Sequence, residues 1–171
     1  MLDLLYSRRS IRKYTPQFIE PEKIEKLIEA ALLSPSSRNR EAWEFVVVTE
    51  KSTLKKLSIS KPGTALMLAD APLAIVVCGK PKDSDVWIED CSIAAIIIQL
   101  AAHDMGLGTC WIQLRGRMFD EQLSSSVYVK QTLELPDDLE IECIISIGYP
   151  AEIKTKRDKS VLSYNKVFRK S

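Results

Sequence analysis

The chain has 171 residues, 46% hydrophobic and 27% charged, the balance of an ordinary soluble domain. Lys plus Arg total 24 and Asp plus Glu 23, and a net charge of +1 argues against a bulk nucleic-acid binder. The opening MLDLLYSRRS has no apolar signal-peptide core, and the longest apolar run, Ile93–Ile98, falls far short of the ~20 residues that span a bilayer, so a cytoplasmic protein outside the membrane is expected.

In chain order, residues 3–8 suit a short helix, and Arg8–Tyr14 (RRSIRKY) reads as extended. Pro21 suits the first turn of a helix in which Ile24, Leu27, Ile28, Ala31 and Leu32 form one apolar stripe, stopping at Pro35. Pro35–Asn39 (PSSRN) is a polar loop. Phe45–Thr49 is a β-branched strand, 51–58 a charged helix, Lys61-Pro62-Gly63 a turn and Ala65–Asp70 a short helical stretch. Leu73–Cys78 is a second strand. Val86–Met105 is the longest helix, apolar nearly all round between Ile93 and Leu100, which suits a core or an interface, and Gly106 is its left-handed stop. Thr109–Leu114 is a third strand, Phe119–Leu133 a helix although Ser124–Val127 interrupts its pattern, and Ile141–Ile147 a fourth strand. Four strands among about five helices predict one mixed α/β domain over the whole chain.

Several chemistries lack their residues. Cys78, Cys91, Cys110 and Cys143 form no CxxC, and His103 is the one histidine, so zinc and iron–sulfur sites are not expected and the cysteines read as apolar fillers. No GxGxxG, GxxxxGK[ST] or GxSxG occurs, and His103 reads as a helix-end residue rather than a catalyst. The charge is nonetheless uneven: residues 1–13 carry +3, 154–171 carry +6 and the middle −8. Side chains alternate along a strand, so Arg8, Ser10 and Arg12 share one side, two guanidinium forks flanking a hydroxyl, a set suited to phosphate. The PSSRN loop offers short polar side chains and free backbone groups to a flat heterocycle. With acid–base and nucleophilic groups scarce and anion-grasping groups abundant, the chemistry points to a bound cofactor.

Four segments then align with one family. Arg8-Arg9-Ser10-Ile11-Arg12-Lys13-Tyr14, Pro35-Ser36-Ser37-Arg38-Asn39-Arg40-Glu41-Ala42-Trp43, Leu100–Trp111 (LAAHDMGLGTCW) and Ile147-Gly148-Tyr149-Pro150-Ala151-Glu152, in that order, resemble the FMN-dependent nitroreductase family over nearly the whole chain. The resemblance implies an α+β, three-layer fold with a central mixed sheet flanked by helices. It also implies a homodimer with two FMN sites at its interface. By the same resemblance, Arg8, Ser10 and Arg12, with Arg9 adjacent, hold the phosphate. Pro35, Ser36, Ser37 and Asn39 contact ring and ribityl chain, and Trp111, Ile112 and Gln113 lie along the ring, largely through backbone groups. A basic tail residue completes the phosphate grip. Arg40-Glu41-Ala42 replaces the family's Q-P before Trp43, and the tail lacks its R/K-P-L, leaving Lys156, Arg157 and Lys159 as the alternatives.

The expected activity is NADH- or NADPH-dependent reduction of a small-molecule electron acceptor, such as a nitroaromatic or a quinone, through flavin. No side-chain acid or base, metal, nucleic acid or membrane is required. The alternatives are a flavin-dependent dehydrogenase or oxygen-linked enzyme on the same scaffold, a non-catalytic flavin-binding protein, or an anion- or nucleic-acid-binding module using the basic ends. The tail, 154–171, is too polar to form a core of its own and is expected to cross to the partner subunit.

Overall fold

A computed structural model describes residues 1–170; Ser171, the last residue of the expected tail, lies outside the described residues. The β-branched runs form four strands: β1 (Trp43–Val48), β2 (Leu73–Gly79), β3 (Gly108–Gln113) and β4 (Glu140–Gly148). They pair in the order β1-β2-β4-β3, so β2 and β4 are interior and β3 is an edge. Every pairing of named strands is antiparallel, which corrects the expectation of a mixed sheet. Among the described residues, parallel pairing is confined to an isolated bridge between Ser10 and Thr109.

β2 is buried along its whole length, as a continuous apolar run requires when both faces of a sheet are covered. Its Leu73, Ile75 and Val77 meet Leu27 of α2 (Pro21–Leu32) and Ala94 and Ile98 of α4 (Trp87–Asp104), with α1 (Leu2–Ser7) against the latter helix. Its Ala74, Val76 and Cys78 meet Leu54 and Leu57 of α3 (Lys51–Leu57) and Val129 of α5 (Ser125–Thr132). The result is the expected three-layer α+β arrangement with a core on each face of the sheet. Each large aliphatic side chain buried there contributes about 1.5–3 kcal/mol.

α4 explains its own composition. Ala94, Ala95, Ile98 and Ala102 press on the sheet, while Ile93 and Ile96 are 39% and 37% exposed on the outer side. It closes at Gly106, whose φ is +79°, with the Leu107 N–H donating to the Ala102 carbonyl at 2.9 Å. α5 is shorter than its apolar pattern predicts. Phe119–Leu123 is instead a turn in which the Asp120 carboxylate accepts from the Gln122 and Leu123 N–H groups at 2.8 and 2.7 Å. The interrupting Ser124 is the helix N-cap, its Oγ accepting from the Val127 N–H at 3.2 Å.

Two local features position the edge of the sheet. The β2–β4 register skips Glu142, an extra residue in β4 that forms a bulge opposite Val77 and Cys78. The N-terminal segment meets the open side of β3 at Ser10 and Ile11, with the Ile11 N–H donating to the Thr109 carbonyl at 2.8 Å, and then pairs with the chain after β4, where the Lys13 carbonyl accepts from the Ala151 N–H at 2.9 Å. Gly108 allows this approach, because a Cβ there would lie 2.8 Å from three side-chain atoms of Ile11. Tyr14 anchors the far end, its hydroxyl 2.7 Å from both the Ile11 carbonyl and Ser146 Oγ.

Among the described residues no helix is long and apolar enough to cross a membrane. The four cysteines are free and buried, and burial raises each thiol pKa, that of Cys78 to about 12. The tail passes α1, where the Arg157 N–H donates to the Tyr6 carbonyl at 2.8 Å, and residues 153–170 are exposed throughout.

Candidate functional site

Arg8, Ser10 and Arg12 all act on the Cys110 thiol of β3: burial raises its pKa, while the two guanidinium groups and the Ser10 hydroxyl oppose the shift. Arg8 is half-buried, and its pKa is lowered by burial first, then by repulsion from Arg157 and Arg9. Among the described residues, no carboxylate forms an ion pair with Arg8, Arg9, Arg12 or Arg157. Like charges gathered without counter-ions are destabilising unless an anion joins them. Arg9 uses one guanidinium N–H on the Thr155 carbonyl, so it ties the tail to the body as well as adding positive charge.

Lys156, Arg157 and Lys159 all line a groove of about 550 Å³ with Asp3, Tyr6 and Ser7 of α1. Of the three, Arg157 is the one whose charge also lowers the Arg8 pKa, and its backbone is fastened to α1.

A second groove, of about 380 Å³, opens beside Arg12 along the edge of β3. Its walls are Cys110, Trp111 and Ile112 on one side and Lys61, Gly63, Thr64, Leu66 and Met67 on the other. Because Thr109 turns its carbonyl to the open edge, the two-residue repeat turns the backbone N–H and C=O of Trp111 and Gln113 there as well. The Trp111 carbonyl also accepts a long contact from Cys110 Sγ at 3.6 Å, and these edge peptide groups can accept from and donate to the rim of a planar heterocycle. Lys61, Gly63 and Thr64 went unrecognised in the sequence, where Lys61-Pro62-Gly63 signals only a turn.

The Gln113 side chain is spent within the protein. Its side-chain Oε1 accepts from the Trp111 indole Nε1–H at 2.9 Å, and its Nε2 donates to Glu142 Oε1 at 3.2 Å. The Arg115 Nε–H donates to the other oxygen of Glu142 at 2.7 Å. The side-chain amide is therefore committed to holding Trp111, and only the backbone of Gln113 is free to meet a cofactor. The β4 bulge is what aims the Glu142 carboxylate along this chain of contacts.

The Pro35–Asn39 loop lies elsewhere. It contains a single turn, Ser37–Asn39, followed by Arg40 and Glu41, with Arg38, Asn39 and Glu41 at φ values of 53°, 53° and 51°. Left-handed residues other than glycine cost of order 1–3 kcal/mol each. The Ser37 N–H donates to Asp90 Oδ1 and the Glu41 N–H to Ser36 Oγ, both at 2.9 Å. Asp90 is in the first turn of α4, whereas His103, at its last turn, contacts Ser7 Oγ through Nε2 at 2.7 Å beside Arg8. Thirteen residues separate Asp90 from His103, about 20 Å at 1.5 Å per residue. One protomer thus holds Pro35, Ser36, Ser37 and Asn39 at one end of α4, and Arg8, Ser10 and Arg12 at the other.

Comparison with known proteins bears on this arrangement. The nitroreductase-family model matches residues 5–60 and 54–149. A protein of Archaeoglobus fulgidus assigned by name to the NADH dehydrogenase/NAD(P)H nitroreductases is 38% identical over 157 residues, 90% of this chain and 87% of its own length. A Bacillus subtilis FMN reductase acting with NAD(P)H is 26% identical over 177 residues, 91% of this chain and 68% of its own. The solved structure of an FMN-dependent nitroreductase from Clostridium difficile R20291 matches with a TM-score of 0.98 at 47% identity, covering 100% of this chain and 99% of that one. The three-layer fold is therefore the nitroreductase fold, and the chain belongs to the nitroreductase family.

Proposed function

We propose that the protein is an FMN-dependent NAD(P)H oxidoreductase, a cytoplasmic homodimer with its two cofactor sites at the subunit interface. The observation that carries this reading is the cluster of Arg8, Arg12 and Arg157, unpaired among the described residues, at one end of an open sheet edge. The residues fit the cofactor. Arg8, Ser10 and Arg12, with Arg9 adjacent and Arg157 from the tail, suit a phosphate; Lys61 and the exposed peptide groups of β3 suit the polar rim of a ring. One phosphate-sized cluster without a dinucleotide fingerprint favours FMN over FAD.

Bound FMN would supply the redox chemistry, accepting hydride at N5 from NADH or NADPH and passing it, after the donor leaves, to an acceptor such as a nitroaromatic or a quinone. The chain's own share is binding and orientation. Arg12 and Lys61 put two positive charges beside the groove, where they favour negative charge developing on a ring. Trp111 is held by Gln113 and Glu142 at the strand that walls the groove.

The dimer follows from the separation of the two ligand-contacting segments. If Pro35–Asn39 and Arg8–Arg12 serve one cofactor, the loop must come from a second copy. The exposed Ile93 and Ile96 offer an apolar face for that copy, and the exposed tail from residue 154 onward lies across it. Absorbance of the purified protein reconstituted with FMN or FAD, before and after anaerobic NADH or NADPH, tests the activity. Stoichiometric FMN that bleaches is the expected result; no flavin uptake, or tighter FAD binding, refutes it. Sharing of the site is tested by mixing an Arg8→Ala chain with a chain altered in the 35–39 loop. Shared sites restore one intact site per mixed dimer, whereas sites built within one chain restore none.

A further inference from the structure

Asp90 places an acidic side chain where charge is costly. The residue is 3% exposed, and Oδ2 is buried without a hydrogen-bond donor among the described residues. Its place in the first turn of α4 favours an anion, through the helix dipole. Its one partner is the Ser37 N–H at 2.9 Å, and Ser37 is the residue before the left-handed pair Arg38 and Asn39. Backbone of that kind persists only where its surroundings over-determine it. At the far end Ser36 Oγ holds the Glu41 N–H, so the two hydrogen bonds bracket the strained stretch.

We propose that Asp90 is a positioning residue for the cofactor-contacting loop: its charge-assisted bond to Ser37 holds Ser36, Ser37 and Asn39 in the shape in which they are presented to the partner subunit's flavin. This rests on the reading under Proposed function. A carboxylate suits the task better than an amide, because an ionised acceptor binds a peptide N–H more strongly and sits well at a helix N-terminus.

Arg38 and Arg40 are exposed within the loop and make it a trypsin substrate whenever it opens. The test compares wild type, Asp90→Asn and Asp90→Ala, as full chains, by tryptic cleavage at these two arginines, FMN titration and thermal unfolding. In Asp90→Ala, cleavage at Arg38 and Arg40 accelerates and FMN Kd rises, each about tenfold or more, as loss of one charge-assisted hydrogen bond requires. Asp90→Asn, which keeps an accepting oxygen, falls between Asp90→Ala and wild type in both readouts, and the melting temperature of either variant moves little. Equal cleavage rates in all three proteins overturn the proposal. So does faster cleavage with unchanged FMN affinity, and so does cleavage spread over the whole chain with a collapsed melting temperature, which marks Asp90 as a core residue. A wild-type chain that takes up no FMN refutes the underlying reading instead, and the cleavage rates still tell that outcome apart from a loop indifferent to Asp90.

Discussion

Replacing Arg8 with alanine distinguishes an arginine that grips a phosphate from one that decorates a surface. Arg8 is half-buried, and burial together with Arg157 and Arg9 lowers its pKa, yet an arginine stays protonated at neutral pH. With no carboxylate paired to it among the described residues, its charge is a liability in the cofactor-free chain and an asset only when an anion arrives. A hydrogen bond between charged partners contributes about 1.5–3 kcal/mol, so Arg8→Ala weakens FMN about 10- to 150-fold. The cofactor-free protein keeps its stability or gains slightly, because the repulsion among Arg8, Arg9 and Arg157 is relieved. Quenching of flavin fluorescence gives the affinity, and thermal unfolding without FMN gives the stability. Raising salt from about 0.1 M to about 1 M shortens the screening length from ~10 to ~3 Å and narrows the gap between the two proteins. An unchanged Kd, or a cofactor-free variant that melts earlier, would refute the reasoning.

Four further outcomes are expected. Gly108→Ala places a methyl 2.8 Å from Ile11, which must push the N-terminal segment off β3; stability falls by about 1–3 kcal/mol in urea and FMN affinity falls with it. Arg115→Ala leaves the Glu142 carboxylate, 3% exposed, with Gln113 as its remaining donor; because Arg115 is itself 46% exposed, the loss in urea unfolding is about 2–3 kcal/mol, below that for breaking a fully buried pair, and Trp111 fluorescence shifts. His103 has its pKa lowered by burial and then by Arg8, while Asp104 opposes the shift; a phosphate beside Arg8 raises it again, so binding takes up a proton and FMN affinity increases as pH falls through the range just below the ordinary value of 6.5. Calorimetry in buffers of different ionisation heat measures that proton, and His103→Asn abolishes it. Deleting residues 154–171, which expose Val161, Tyr164, Val167 and Phe168, lowers dimer content and FMN occupancy together; a stable monomer that retains stoichiometric FMN contradicts the proposed interface.

What could be anticipated from the chain was whatever short-range periodicity encodes. β2 declares itself as six apolar residues from Leu73 to Cys78, and α2 by the stripe from Ile24 to Leu32. Phe119–Leu123 misleads for the same reason, since its apolar residues extend the rhythm of α5 upstream while Asp120 closes a turn. Sheet order is long-range: nothing local says that β3 pairs antiparallel with β4 at the edge, which makes the sheet antiparallel rather than mixed. The partner of the Gln113 side chain is equally long-range. Its amide is claimed by Glu142, which reaches it through a bulge defined only by the register of β2 against β4.

The position of the Pro35–Asn39 loop has the deepest consequence. In sequence, the loop and the arginine segment are neighbours on the same N-terminal stretch, and a single cofactor touching both looks simple. In the fold, α4 stands between them and keeps them about 20 Å apart, so the distance along the chain understates the distance in space. The helix that creates this separation also offers a remedy for it. Its outer face carries Ile93 and Ile96, and a symmetric partner packed there places the two copies of α4 against each other. When a two-fold axis crosses such helices at right angles they run antiparallel, which sets the Asp90 end of one beside the His103 end of the other. In the proposed dimer, the loop held by Asp90 then faces the partner's Arg8 cluster, twice per assembly. Apolar residues all round α4 would then serve two purposes: the inner ones hold the sheet, and in the proposed dimer the outer ones unite two half-sites.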